Sequence, residues 1–82
     1  MILMKKIISI DLFAGVGGMR ISLQRALNRL KLKDDCKLYS EIDCYCRQTY
    51  DLNFPGTPLI ENIKSIKKND IRDKIPDHDI LL

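Results

Sequence analysis

The turn Gly15-Val16-Gly17-Gly18 sits between two segments of different periodicity, and that junction constrains the fold more than any other part of the chain. Ahead of it, Ile7 to Phe13 is a short apolar and β-branched run of the kind that forms a buried parallel strand. Beyond it, Met19, Leu23, Ala26, Leu27 and Leu30 recur at three- and four-residue spacing, which predicts an amphipathic helix. Lys31 and Lys33 suit the negative end of that helix. A strand, a glycine turn and a helix in that order open a β-α-β unit.

The alternation continues downstream. After Asp34-Asp35, Cys36 to Ser40 reads as a second strand, and Asp43 as the N-cap of a helix carrying Tyr45, Cys46, Thr49, Tyr50 and Leu52. Asn53-Phe54-Pro55-Gly56 stops it, because proline cannot continue a helix and glycine suits the turn. Pro58-Leu59-Ile60 reads as a brief strand, Ser65 to Lys74 holds a short helix or turn, and Ile80-Leu81-Leu82 reads as a fourth strand. Strands alternating with helices imply right-handed crossovers and an α/β fold. The expected architecture is a partial doubly wound parallel sheet of about four strands over residues 1–82. Such a sheet ordinarily has more strands.

Composition removes several classes. With 45% apolar and 30% charged residues, the chain is neither disordered nor a membrane protein, and no run approaches a membrane span. Met1 to Ile8 places charge beside apolar residues, yet Asp11 interrupts the run too early for a signal peptide. Cys36, Cys44 and Cys46 are odd in number and too few for a disulfide framework, so free, buried thiols in a reducing cytoplasm are expected. No metal site is predicted, since Cys44-x-Cys46 has no second pair or histidine at zinc spacing. The net charge of +3 permits a polyanionic partner without requiring one. Lys64, Lys67, Lys68, Arg72 and Lys74 read as a solvated face. His78 reads as structural.

The glycine turn carries the sharpest chemistry. Glycines after a strand let backbone N–H groups approach a ligand without a Cβ in the way. The dinucleotide fingerprint needs a third glycine two residues past Gly18, where Arg20 stands, so a pyrophosphate ligand and a nicotinamide-dinucleotide domain are disfavoured. Glu41 lies 23 residues past Gly18, at the end of the second strand, where a carboxylate can accept both ribose hydroxyls of a nucleoside. A loop and an acid without the pyrophosphate glycine suggest a nucleoside ligand without a diphosphate. S-adenosylmethionine meets that description.

These residues also carry a family resemblance. Asp11-Leu12-Phe13-Ala14-Gly15-Val16-Gly17-Gly18-Met19-Arg20 resembles the first motif of the DNA cytosine-5 methyltransferases. Ser40-Glu41-Ile42-Asp43, followed by Tyr50-Asp51-Leu52-Asn53-Phe54, is similar to the second, and Ile75-Pro76-Asp77-His78-Asp79-Ile80-Leu81 resembles the strand before the catalytic Pro-Cys. The resemblance runs from about Lys6 to Leu82. It implies a Rossmann-like S-adenosylmethionine-dependent methyltransferase fold, with Phe13 near the adenine and Ala14, Gly15, Val16, Gly17 and Gly18 cradling the methionine portion. Glu41 would hold the ribose. Ile42 would lie against the adenine, at a position that often bears a bulkier residue. Asn62 stands where an aspartate commonly accepts the adenine amino group, and Ile63 would cover the other side of the ring.

The resemblance also implies parts that these residues lack. The family's nucleophile is a cysteine in Pro-Cys-Gln, assisted by a glutamate in Glu-Asn-Val, acting on a cytosine flipped from the duplex. No cysteine here follows a proline, no Glu-Asn-Val occurs, and no catalytic residue is assigned. The expectation is therefore the N-terminal cofactor-binding part of a DNA (cytosine-5)-methyltransferase of restriction-modification type, cut off before the catalytic Pro-Cys and inactive alone. Its DNA would be met through the remainder of the enzyme. A second polypeptide carrying the catalytic motifs, or self-association through the apolar edge at Ile80-Leu81-Leu82, is the expected partner. The rival reading is a non-catalytic S-adenosylmethionine-binding or partner-binding module.

Overall fold

The computed structural model describes residues 5–82; Met1 to Met4, which begin the run weighed above as a signal peptide, lie outside the described residues. The chain runs β1 (Lys5–Asp11), α1 (Gly18–Arg29), β2 (Leu32–Ser40), α2 (Cys44–Asn53), β3 (Leu59–Ile60), two short 3₁₀ turns, α3 (Ile71–Lys74) and β4 (Ile80–Leu81). All pairings are parallel and the strand order is β3-β2-β1-β4. The chain thus winds outward from β1 to β3 and then returns to the other side of β1, the topological reversal expected of a doubly wound sheet.

Alternation along β1 divides the two faces. Ser9 and Asp11 point toward α1 and α2: the Ser9 hydroxyl donates to Asp34 Oδ1 at 2.6 Å, and the Tyr50 hydroxyl donates to Asp11 Oδ2 at 3.0 Å. Ile10 and Leu12 face the other way, onto an open apolar groove of about 250 Å³ lined with Ile63, Ile66, Ile71 and Ile75 from the β3–β4 crossover and with Leu81. Helical segments therefore cover both faces. The core on the α2 side is aromatic. Tyr39 and Tyr50 stack with ring centroids 3.9 Å apart, and Phe54 tilts against Tyr50 at 5.0 Å.

Three local expectations are corrected. β2 begins at Leu32, so Lys33, Asp34 and Asp35 are strand residues rather than a helix end and a loop. Lys31, at φ 57, turns the chain tightly enough for β2 to pair with β1 along its full length. The inward face of α1 is only partly the apolar set: Leu27 is buried and Leu23 half-buried, whereas Met19, Ala26 and the C-cap Leu30 are exposed. The inward stripe is Arg20, Leu23, Gln24 and Leu27, because Arg20 has partners inside the protein. In α2, Tyr45 and Leu52 are exposed while Tyr50 is buried, and Cys44 is an exposed thiol at the first turn. All three cysteines are free, as expected, though only Cys36 is buried.

Candidate functional site

The residues named from sequence follow the carboxyl ends of three adjacent strands, where ligands settle in sheets of this kind. Phe13 to Gly18 follow β1, Glu41 and Ile42 follow β2, and Asn62 and Ile63 follow β3. The chain leaves β1 through a left-handed residue, Phe13 at φ 49, which holds its ring outward at 75% exposure. Ile42 is likewise exposed. Both are apolar groups on the rim rather than in the core.

The glycine loop is locked by three backbone bonds. Ala14 N–H donates to the Ser40 carbonyl at 2.9 Å, Gly17 N–H to the Ala14 carbonyl at 2.9 Å, and Ile21 N–H to the Gly17 carbonyl at 3.0 Å. Its glycines serve different ends. A Cβ on Gly17 would lie 2.5 Å from the Phe54 ring, and its φ of 97 is left-handed, so this glycine is demanded by packing. A Cβ on Gly15 or Gly18 would meet nothing within 4 Å, leaving open space beside the backbone. Val16 is exposed on the loop, and the Ala14 methyl packs into the tyrosine core.

Glu41 ties the second strand end to the loop. Its Oε1 accepts from Gly15 N–H at 2.8 Å and its Oε2 from Asp43 N–H at 2.9 Å. A carboxylate oxygen has two lone pairs, so each still has capacity for a ligand hydroxyl. Asp43 is the N-cap anticipated from sequence, its Oδ1 accepting from Tyr45 and Cys46 N–H groups at 2.8 and 3.1 Å. Asn62 caps the first 3₁₀ turn, its Oδ1 accepting from Lys64 N–H at 3.0 Å. Ile63 is half-buried, and its side chain lines the apolar groove.

A buried polar cluster under the loop escaped the sequence reading. Arg20 Nη1 donates to the Tyr50 hydroxyl at 3.1 Å and to Thr57 Oγ1 at 2.8 Å, while the guanidinium lies 4.1 Å from the centre of the Phe54 ring. Its Nε faces Asp34 Oδ2 at 3.8 Å, and neither atom has a hydrogen-bond partner. The Coulomb attraction of two almost fully buried groups offsets part of that deficit. Burial pushes the Asp11 carboxyl and the Tyr50 hydroxyl above their ordinary values, although the bond between them acts to lower the Asp11 carboxyl. At the third-glycine position, Arg20 thus rivets α1 to α2, with its guanidinium engaged by Tyr50, Thr57 and Phe54. Sequence alone held no signal for the cluster, because only the pairing of Asp34 with Ile7 places that acid in a strand.

The glycine loop after β1, Glu41 after β2 and Asn62 after β3 stand along one edge of a Rossmann-like α/β sheet. Comparison with known proteins agrees. The model of the C-5 cytosine-specific DNA methylase family matches residues 7–82, and the chain belongs to that family. It is 43% identical over 72 residues to the Type II methyltransferase M.NlaX of Neisseria lactamica, covering 88% of this chain and 20% of that protein. It is 41% identical over 78 residues to the Type II methyltransferase M.DsaV of Dactylococcopsis salina, covering 95% of this chain and 19% of that one. The chain therefore spans about a fifth of these relatives. A crystal structure of a Spodoptera frugiperda DNMT2 mutant shares the fold, with a TM-score of 0.62 and 24% identity over 80% of this chain and 19% of that chain.

Proposed function

We propose that these residues hold S-adenosylmethionine for methyl transfer to cytosine in DNA. One observation carries this reading. In a chain of the DNA methylase family, Glu41 hydrogen-bonds the open side of the glycine loop through Gly15 and keeps acceptor capacity for ribose. The surroundings fit the cofactor. Space lies beside Gly15 and Gly18, and the first-turn N–H groups of α1 lack helical partners and suit a carboxylate. Phe13 and Ile42 supply exposed apolar surface for the adenine, and Asn62 Oδ1 retains a lone pair for its amino group. When bound, the cofactor supplies a methyl group on a sulfonium centre. The chain's own residues bind and orient it.

Methyl transfer itself needs a nucleophile that these residues do not offer, since Cys36, Cys44 and Cys46 follow Asp35, Asp43 and Tyr45. The 82 residues alone are accordingly read as inactive, meeting DNA through the Pro-Cys-Gln and Glu-Asn-Val parts of the enzyme on further polypeptide. The edge of β4 away from β1, paired with no strand among the described residues, and the adjoining apolar groove are the surfaces for that polypeptide or for self-association. Free thiols and the bacterial origin of the relatives favour the cytoplasm. No helix among the described residues is long and apolar enough to cross a membrane.

Calorimetry tests the reading. S-adenosylmethionine is expected to bind one-to-one, and Glu41→Ala to abolish the binding. No binding, or a preference for a dinucleotide, overturns it. Labelled methyl transfer to DNA should be absent with the chain alone and appear on adding a polypeptide with the two catalytic motifs; transfer by the chain alone refutes the inactivity.

A further inference from the structure

Arg47 joins the two halves of the nucleoside ledge through one atom. Its Nη1 lies 3.2 Å from the Glu41 carbonyl, 3.0 Å from the Ile42 carbonyl and 2.9 Å from Glu61 Oε1. That nitrogen carries two hydrogens and faces three acceptors, so at least one N–H is shared. The carbonyls belong to the segment bearing the ribose acid; Glu61 directly precedes Asn62. We infer that Arg47 is a positioning residue for adenosine recognition, holding Asn62 at a fixed separation from Glu41. The inference rests on the nucleoside site proposed above.

The sheet cannot do this work. β3 has two residues, and its ladder with β2 ends at the Ser40–Ile60 pair. Past Ile60, the hydrogen bonds of Asn62, Ser65 and Ile66 are all local to the turn. Among the described residues, the Arg47–Glu61 pair is the one polar side-chain link from the segment Glu61 to Ile66 back to the end of β2. With Glu61 68% exposed, the pair adds little to stability. Its contribution is geometric: α2 places Arg47 on a half-buried flank, and the guanidinium spans the gap between two strand ends.

A bound nucleoside in one glycosidic conformation sets the spacing between ribose hydroxyls and base edge, so its readers must be held to within about 0.5 Å. Asn62 is also fixed in orientation. Turning its amide over would replace the Oδ1 acceptor of the Lys64 N–H bond with a second donor. A clamped Asn62 therefore presents an acceptor to a 6-amino group and opposes the 6-carbonyl of an inosine.

The test is calorimetry on the full chain with S-adenosylhomocysteine and its inosine counterpart, comparing wild type, Arg47→Ala and Glu61→Gln. Wild type is expected to prefer the adenosine ligand by roughly tenfold. Both variants should weaken that ligand about three- to tenfold while barely moving the inosine one, so that discrimination narrows; their melting temperatures without ligand should stay close to wild type. Equal loss for both ligands, or discrimination unchanged from wild type, overturns the inference. If Arg47→Ala does not fold, Glu61→Gln decides alone, because it removes no bond to the backbone. Wild type that binds neither ligand refutes the site reading, and the clamp falls with it; a binding wild type with indifferent variants refutes only the clamp.

Discussion

The two halves of this chain are built in different ways. Every described residue that is buried lies between Ser9 and Tyr50, and the segment after Tyr50 contributes none. β1 and β2 share seven register pairs, whereas β3 and β4 make two each. The glycine loop and Glu41 thus stand on a packed base of stacked tyrosines and a buried polar cluster. Asn62 stands on two strand residues and an exposed ion pair. Two parts of one ligand ledge are held by unlike means, the first by packing and the second by a side-chain tether, so mutations should separate them.

Arg20 offers the largest break. Arg20→Ala removes the hydrogen bonds to Tyr50 and Thr57, uncovers the Phe54 ring and leaves Asp34 buried without its counter-charge. Losing one partner of a buried pair costs roughly 3–5 kcal/mol, a large share of a small domain's stability. Urea denaturation followed by circular dichroism should show the variant unfolded or nearly so. Stability within about 1 kcal/mol of wild type would mean that the cluster is not what holds α1 to α2.

A smaller and sharper contrast lies within the loop. Gly17→Ala must fit a methyl against the Phe54 ring at a left-handed φ, and is expected to cost about 2–4 kcal/mol. Gly15→Ala has a left-handed φ of 56 and open space, and should cost about 1 kcal/mol. The order reverses for ligand affinity per folded molecule. A methyl on Gly15 intrudes beside the N–H that Glu41 accepts, so calorimetry should find it the more damaging of the two among folded chains. Equal effects on both readouts would mean that the two glycines share one role.

How much was legible follows from the same contrast. Element order, the Asp43 cap and the sheet class were readable because they rest on local pattern, which survives in any environment. The inward face of α1 was not, because it rests on Arg20, whose long polar side chain reads as solvent-facing until Asp34, Tyr50 and Thr57 are seen around it. Asp34 itself reads as a turn residue until its pairing with Ile7 places it in a strand. The loop and Glu41 were named from motif and spacing. Arg47 was not named, because its three acceptors come from positions 41, 42 and 61, which only the crossover to β3 brings together.

The smallest expected effect concerns pH, and it probes the packed half alone. Burial raises the Asp11 carboxyl above its ordinary value of 3.8, so the folded chain holds that proton more tightly than the unfolded chain. Between 3.8 and the raised folded value the native state binds more protons, and stability from this group falls as pH rises through that window. This is opposite in sign to Asp35, whose carboxyl the neighbouring Lys37 holds below the usual range and whose small contribution is lost as pH falls. Asp11→Asn keeps an acceptor for the Tyr50 hydroxyl and cannot titrate, so it should flatten the part of the decline in melting temperature that sets in as pH rises above 3.8. The Asn62 half contributes no buried carboxylate to that slope. A variant whose pH profile overlays wild type would show that Asp11 keeps its ordinary proton affinity in the fold, and that its bond to Tyr50 fully compensates its burial.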